Sequence, residues 1–211
     1  MKSNVFCIVG KTGSGKTKVL NELLEDKFFI NETKLHKVVY WTTRSPRVNE
    51  KDGEDYHFGI YNTFKDTPSS DILEYRTYET KDNGTSYYWT KKSDLEGYDN
   101  YIISCGAEQV YNYIDTLNRE KYNIYIIYIN TDLITKMKRM VDGRLLNDTQ
   151  AKEFCRRVTN ENKEFEKMEM ICKDNKKYRV SGVSICDNNN DSIELFNVMI
   201  TQLKIWICCR V

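Results

Sequence analysis

The sequence predicts an α/β protein: a parallel sheet flanked by helices, carrying a small mixed or antiparallel insertion and a helical lid. Three observations carry that prediction. A short apolar run, Asn4 to Val9, stops at a glycine-rich loop and gives way to an apolar repeat of helical period. Apolar strand-like runs then alternate with amphipathic helical stretches, the pattern of a parallel sheet. Two stretches, 42–98 and about 136–162, break the alternation and read as insertions on one core.

Asn4-Val5-Phe6-Cys7-Ile8-Val9 is apolar without alternation, as a strand buried on both faces must be. Val19, Leu20, Leu23 and Leu24 follow at helical spacing. Residues 38–41 form the next expected strand. Within 42–98, strand-like pieces at 56–60, 72–78 and 87–90 are separated by turn signals such as Asn83-Gly84, which predicts a small antiparallel unit. Residues 101–104 and 125–129 return to the core sheet. Between them, Val110, Tyr113, Ile114 and Leu117 share one helical face. Asp132 is placed to cap a helix reaching Val141, and Asp148 one reaching about Glu169. Residues 180–186 form a last strand. Ile193, Phe196, Ile200, Leu203 and Ile207 then line a closing helix. The expected division is core 1–41, insertion 42–98, core 99–135, lid 136–162 and core 163–211.

Composition narrows the function classes. The 211 residues suffice for one domain burying on the order of 70% of its unfolded surface. Lys plus Arg is 32 and Asp plus Glu 31, a net charge of +1, which argues against a broad basic face for nucleic acid. Compact clusters of arginine remain compatible with that balance. The 7 cysteines are odd in number and lack CxxC spacing, and Cys7 and Cys186 lie in apolar, strand-like surroundings. They read as reduced thiols, not as a disulfide framework or zinc site. With only His36 and His57, an imidazole-rich metal site is disfavoured. No apolar run approaches the ~20 residues of a spanning helix, and no secretory signal is visible. The expectation is a cytoplasmic protein, monomer or homodimer, with small-molecule substrates and no nucleic-acid or membrane partner.

Gly10-Lys11-Thr12-Gly13-Ser14-Gly15-Lys16-Thr17 matches the phosphate-loop pattern G-x-x-x-x-G-K-[ST]. Glycines let successive backbone N–H groups point at one anion, and the following helix presents its positive end to it. Lys16 is placed to reach the β- and γ-phosphates of a nucleoside triphosphate, and the Thr17 hydroxyl to ligate Mg²⁺. This loop specifies the triphosphate and leaves the reaction open.

A second phosphate site is suggested by Thr42-Thr43-Arg44-Ser45-Pro46-Arg47, with Tyr56 following the Gly53 turn. Two guanidinium forks and a phenol suit a dianionic monophosphate. A solvated charged loop is the other reading of those residues alone.

The combination resembles the guanylate kinase family. That family follows its phosphate loop with T-T-R-x-x-R-x-G-E-x-x-G-x-D-Y-x-F, an apolar-Glu element and Y-Y-G-[ST]. Here these stand at residues 42–58, at Ile72-Leu73-Glu74 and at Tyr87-Tyr88-Trp89-Thr90. Arg157-Val158 with Glu161 and Glu164 resembles the family's R-L-x-x-A-x-x-E helix. The resemblance implies that Arg44, Arg47, Tyr56 and Tyr88 hold the acceptor's monophosphate. It implies that Glu74 accepts from guanine N1–H and the exocyclic amine, while Thr90 donates to O6. Adenine presents the opposite pattern, so this pair discriminates between the bases. Arg157, with Arg144 or Arg139 in the lid, would neutralise the transferring phosphoryl group. His57 is read as a solvated side chain.

Four departures stand out. Tyr40 replaces a serine that contacts the base, Asn49 a glycine, and Trp89 the glycine of Y-Y-G-[ST]. Ser104-Cys105-Gly106 replaces an Asp-rich segment. Tyr40 and Trp89 are expected to add bulk near the base. The implied reaction is ATP plus GMP or dGMP to ADP plus GDP or dGDP, with ATP and Mg²⁺ as cofactors. A kinase of shifted base or sugar preference is the nearest alternative. A non-catalytic binding module of the same family is opposed by the presence of Lys16, Thr17, Arg44, Arg47 and Glu74. A generic ATPase or nucleic-acid remodeller leaves the Arg44, Arg47 and Glu74 set unexplained.

Overall fold

A computed structural model describes residues 2–48, 50–80, 84–117, 121–143, 147–189 and 192–208. Asn49, Asn83, Arg144 and Cys209 therefore lie outside the described residues.

The core is a five-stranded parallel sheet. Its strands are β1 (Ser3–Val9), β2 (Leu35–Lys37), β7 (Asn100–Cys105), β8 (Tyr122–Asn130) and β9 (Gly182–Asp187), in the order β2-β7-β1-β8-β9. β1 sits at the centre, and its side chains alternate between two apolar layers. Val5, Cys7 and Val9 face α4 (Ala107–Thr116) and α6 (Asp148–Lys173). Phe6 and Ile8 face α1 (Lys16–Glu25), α2 (Lys27–Thr33) and α7 (Ser192–Cys208). Burial on both faces explains the unbroken apolar run.

The helix starts follow local chemistry. Asp26 accepts from Phe29 N at 2.9 Å to open α2, and Asp132 accepts from Thr135 N at 2.8 Å to open α5 (Leu133–Gly143). For α6 the capping residue is Asn147 rather than Asp148. The extended Asn147 accepts from Gln150 N at 3.0 Å, and Asp148 becomes the acidic residue of the first turn. α6 also runs past 162, so one helix carries both lid and core residues.

The second sheet has the order β4-β3-β6-β5, from β3 (Trp41–Thr42), β4 (His57–Phe58), β5 (Ile72–Thr80) and β6 (Gly84–Lys91). It is mixed, not purely antiparallel, because β3 and β4 run parallel. The expected strand at 38–41 is instead divided. Val38 N still bonds Ile102 O in the core at 2.9 Å, whereas Trp41 already pairs with Trp89 in the second sheet. Those residues cross between sheets. A short helix, α3 (Tyr61–Lys65), covers the outer face of β6 through Phe64.

On α7 the most buried residues are Leu195, Met199 and Leu203, with Phe196, Ile200 and Ile207 flanking them. The stripe is thus rotated from the one read in the sequence. Trp206 explains the shift. It packs on Tyr125, ring centroids 4.9 Å apart, and enters space that Gly182 leaves by lacking a Cβ. Cys7, Cys105, Cys155, Cys172 and Cys186 are free thiols.

Candidate active site

The phosphate loop leaves the C-terminal end of β1 and enters α1. Gly13 and Gly15 adopt φ of 80° and 94°, which side chains with a Cβ rarely accept. A Cβ at Gly10 would meet the Ile129 carbonyl at 2.8 Å. Gly10 to Thr17 thus lie in one tight turn at the sheet's centre. Ser14 is buried beneath it, its carbonyl accepting from Asn188 Nδ2 at 2.8 Å. Lys16 folds back, and its ammonium donates to the Gly10 and Lys11 carbonyls. Thr17 is exposed in the first turn of α1.

α6 closes over this loop. The Glu161 carboxylate accepts from the Thr12 backbone N–H through both oxygens, at 3.0 and 2.9 Å, and also from the Thr12 hydroxyl. Lys11 Nζ donates to Asn162 Oδ1 at 2.9 Å. Arg157 lies exposed one turn before Glu161, on the same side of the helix. Arg139, on α5, donates to the Asn188 carbonyl at 2.9 Å and to the Ser14 carbonyl at 3.5 Å. Its guanidinium therefore braces the back of the loop. Lys136 is buried beside Gly13, and burial lowers its pKa, helped by the Lys11 charge.

The second sheet holds the other cluster. Arg44 forms a bidentate pair with Glu50 at 2.6 and 2.7 Å, and its Nε donates to the Tyr88 hydroxyl at 3.1 Å. The same guanidinium stands 5.0 Å from the Tyr56 ring. Glu50 also accepts from the Arg47 backbone N–H at 2.8 Å; Tyr56 and Tyr88 thus meet Arg44 directly, whereas the Arg47 side chain is exposed. Burial raises the Tyr56 pKa.

Glu74 pairs directly with Thr90 across β5 and β6. It is only 4% exposed, yet neither carboxylate oxygen completes a hydrogen bond within the protein. Burial pushes its pKa up to about 7, against Arg76 and the Tyr40 hydroxyl, which favour the ionised form. Tyr40 is buried beside it. Its hydroxyl bonds that of Tyr113 at 3.0 Å, and Tyr113 in turn meets the Thr90 hydroxyl at 3.3 Å. Trp89 does not crowd this site. Strand alternation sends it to the opposite face, where it packs on Trp41 and Phe64 with no exposure at all.

Cys105, buried at the end of β7, lies within electrostatic reach of both Glu74 and Lys16. Sequence reasoning missed Glu50, Arg76, Tyr113, Lys136 and Asn188 as members of these clusters. Glu50 and Arg76 carried a signal. Glu50 follows the arginines within their own motif, and Arg76 shares a strand face with Glu74. Tyr113 was legible only as core, and nothing in the sequence marks Asn188.

A parallel sheet with a glycine-rich loop after its central strand, together with a second sheet bearing a buried carboxylate and an arginine cluster, marks a nucleotide-binding α/β protein. The Guanylate kinase family model matches residues 2–177, and the chain belongs to the guanylate kinase family. A guanylate kinase of Nitrosomonas europaea is 34% identical over 111 residues, covering 51% of this chain and 53% of the relative. One of Campylobacter jejuni is 28% identical over 155 residues, covering 68% and 74%. The matched part thus spans about half of the first relative and three quarters of the second. The crystal structure of guanylate kinase from Anaplasma phagocytophilum superposes with a TM-score of 0.62 over 98% of this chain and 87% of that one, at 19% identity, a likeness of fold.

Proposed function

We propose that this protein transfers the γ-phosphoryl group of ATP to GMP or dGMP, giving ADP and GDP or dGDP. The observation that carries the reading is Glu74: a buried carboxylate with both oxygens unfilled, opposite Thr90 and at one end of an arginine–tyrosine cluster. An orphaned buried carboxylate requires a partner with donors, and guanine offers two, N1–H and the exocyclic amine. Thr90 is placed to donate to O6. Arg44, Arg47, Tyr56 and Tyr88 take the acceptor's phosphate, and Gly10 to Thr17 the triphosphate.

Catalysis in this reading is positioning and charge neutralisation. The acceptor phosphate oxygen attacks, so no protein nucleophile is assigned. Lys16 leaves the Gly10 and Lys11 carbonyls to follow the migrating phosphoryl charge. Arg157 approaches from α6, with Arg144 or Arg139 as the second lid arginine; Arg139 would first release the Ser14 and Asn188 carbonyls. Insertion 42–98 and lid 136–162 close on the core to exclude water. The exposed Thr17 hydroxyl suits Mg²⁺, which binds oxygen and retains waters and substrate phosphates. When bound, that ion offsets phosphate charge. The free thiols fit a cytoplasmic setting.

The test is ADP release across the common NMPs and dNMPs. GMP and dGMP should be the preferred acceptors. Preference for another base would remove Glu74 from its proposed role, and no release with any acceptor would favour a binding module.

A further inference from the structure

Arg76 is the side chain that the proposed reaction leaves unused. It lies on β5 two residues beyond Glu74, on the same face of the sheet, directly opposite Tyr88. Its Nε is buried without any hydrogen-bond acceptor. Among the described residues no carboxylate forms a salt bridge with it. Three aromatic faces stand around it, Tyr40, Tyr78 and Tyr88, with ring centroids 5.4, 5.6 and 5.8 Å from the guanidinium carbon.

Arg44 differs sharply. Both of its Nη atoms are engaged by Glu50, so its charge is already compensated within the protein. The Glu74 carboxylate favours the Arg76 charge without hydrogen-bonding it, and a half-buried guanidinium whose Nε is buried and unfilled is costly unless a ligand supplies an acceptor. The ladder shows which part of a ligand. The Glu74–Thr90 rung lies at the base-reading end. The Arg76–Tyr88 rung lies two residues, about 7 Å, along the strands. There Tyr88 already carries the Arg44 contact.

We propose that Arg76 is a third guanidinium of the acceptor site and binds the phosphate of the acceptor nucleotide, supplying the open donor that Arg44, held by Glu50, does not. The role extends the acceptor assignment made above and rests on it. It makes the site selective for a phosphorylated ligand over its nucleoside.

The experiment compares GMP with guanosine by calorimetric titration, in wild type, Arg76→Met and Arg76→Lys. Methionine keeps much of the buried stem and removes the charge. GMP should bind Arg76→Met on the order of tenfold to a hundredfold more weakly, while guanosine changes less than about twofold. Arg76→Lys should restore part of the GMP affinity and none of the planar fork's remainder. Equal weakening of GMP and guanosine would overturn the proposal, since it would mean that Arg76 acts through the Glu74 carboxylate. Unchanged GMP binding would overturn it as well. If Arg76→Met fails to fold, the lysine variant decides: a loss confined to the phosphorylated ligand supports the role, and none refutes it. If the wild type prefers a nucleotide other than GMP, the base assignment falls. The same comparison with that nucleotide and its nucleoside then still tests Arg76.

Discussion

Glu74, buried and without a hydrogen-bond partner, ties stability to pH and, in the proposed reading, to base recognition. Its carboxyl has a folded pKa of about 7 against an ordinary 4.5, because burial disfavours its charge. A raised carboxylate pKa contributes stability below pH 4.5, and that contribution is lost as pH rises through 7. At pH 8 the empty protein therefore carries up to about 3 kcal/mol of unfavourable buried charge. Glu74→Gln should melt higher than wild type at pH 8, with the difference shrinking toward pH 5. Guanosine, which has no phosphate to titrate, should bind wild type about tenfold more weakly at pH 6 than at pH 8, as the carboxylate protonates. Glu74→Gln should lose that pH dependence and about a hundredfold in kcat/KM for GMP. A wild-type guanosine profile flat between pH 6 and 8 would show that the carboxylate does not meet the base.

At the scale of elements, α6 and the phosphate loop form one mechanical unit. Glu161 places a carboxylate on the Thr12 N–H, where the loop is built to receive anions, and Lys11–Asn162 adds a second tie. In the proposed reading, ATP phosphates, anionic like Glu161, converge on the turn that Glu161 already occupies. Glu161→Ala should therefore lower the KM for ATP by about threefold to tenfold with little change in the KM for GMP, read from initial rates. A rise in ATP KM would instead mean that the contact shapes the loop for ATP. β5 and β6 make the complementary point. Their alternation sets Glu74, Arg76, Tyr88 and Thr90 on the ligand face and Trp89 behind it. A bulky residue in the acceptor motif thus becomes core rather than obstruction.

For the whole molecule, the proposed phosphoryl transfer draws on two sheets. The proposed triphosphate loop belongs to the five-stranded core and the proposed acceptor cluster to the four-stranded sheet, linked where residues 38–40 cross between them. In that reading the acceptor oxygen is the nucleophile, and Lys16 is held by its loop carbonyls before phosphates arrive. ATP alone should therefore be hydrolysed at least about a hundredfold more slowly than it is consumed with GMP, measured by ADP release with and without acceptor. Comparable rates would show that water reaches the γ-phosphate as readily as the acceptor does.

The tight loop Gly10–Thr17, the buried strand before it and the shared strand face that carries Glu74 were legible in the sequence alone. Each depends on local spacing: positive-φ glycines, an unbroken apolar run, and residues alternating on one strand face. The tertiary structure alone decided how charges are partnered. It paired Arg44 with Glu50, brought Tyr113 from α4 to Thr90, and set Glu161 on Thr12 across 149 residues of chain. It also left the Arg76 Nε without a hydrogen-bond acceptor. Sequence spacing specifies which face a side chain takes, but burial and partnering of a charge depend on elements distant along the chain. That is why the glycine loop and the arginine motif could be read before the fold, and the unfilled Arg76 donor could not.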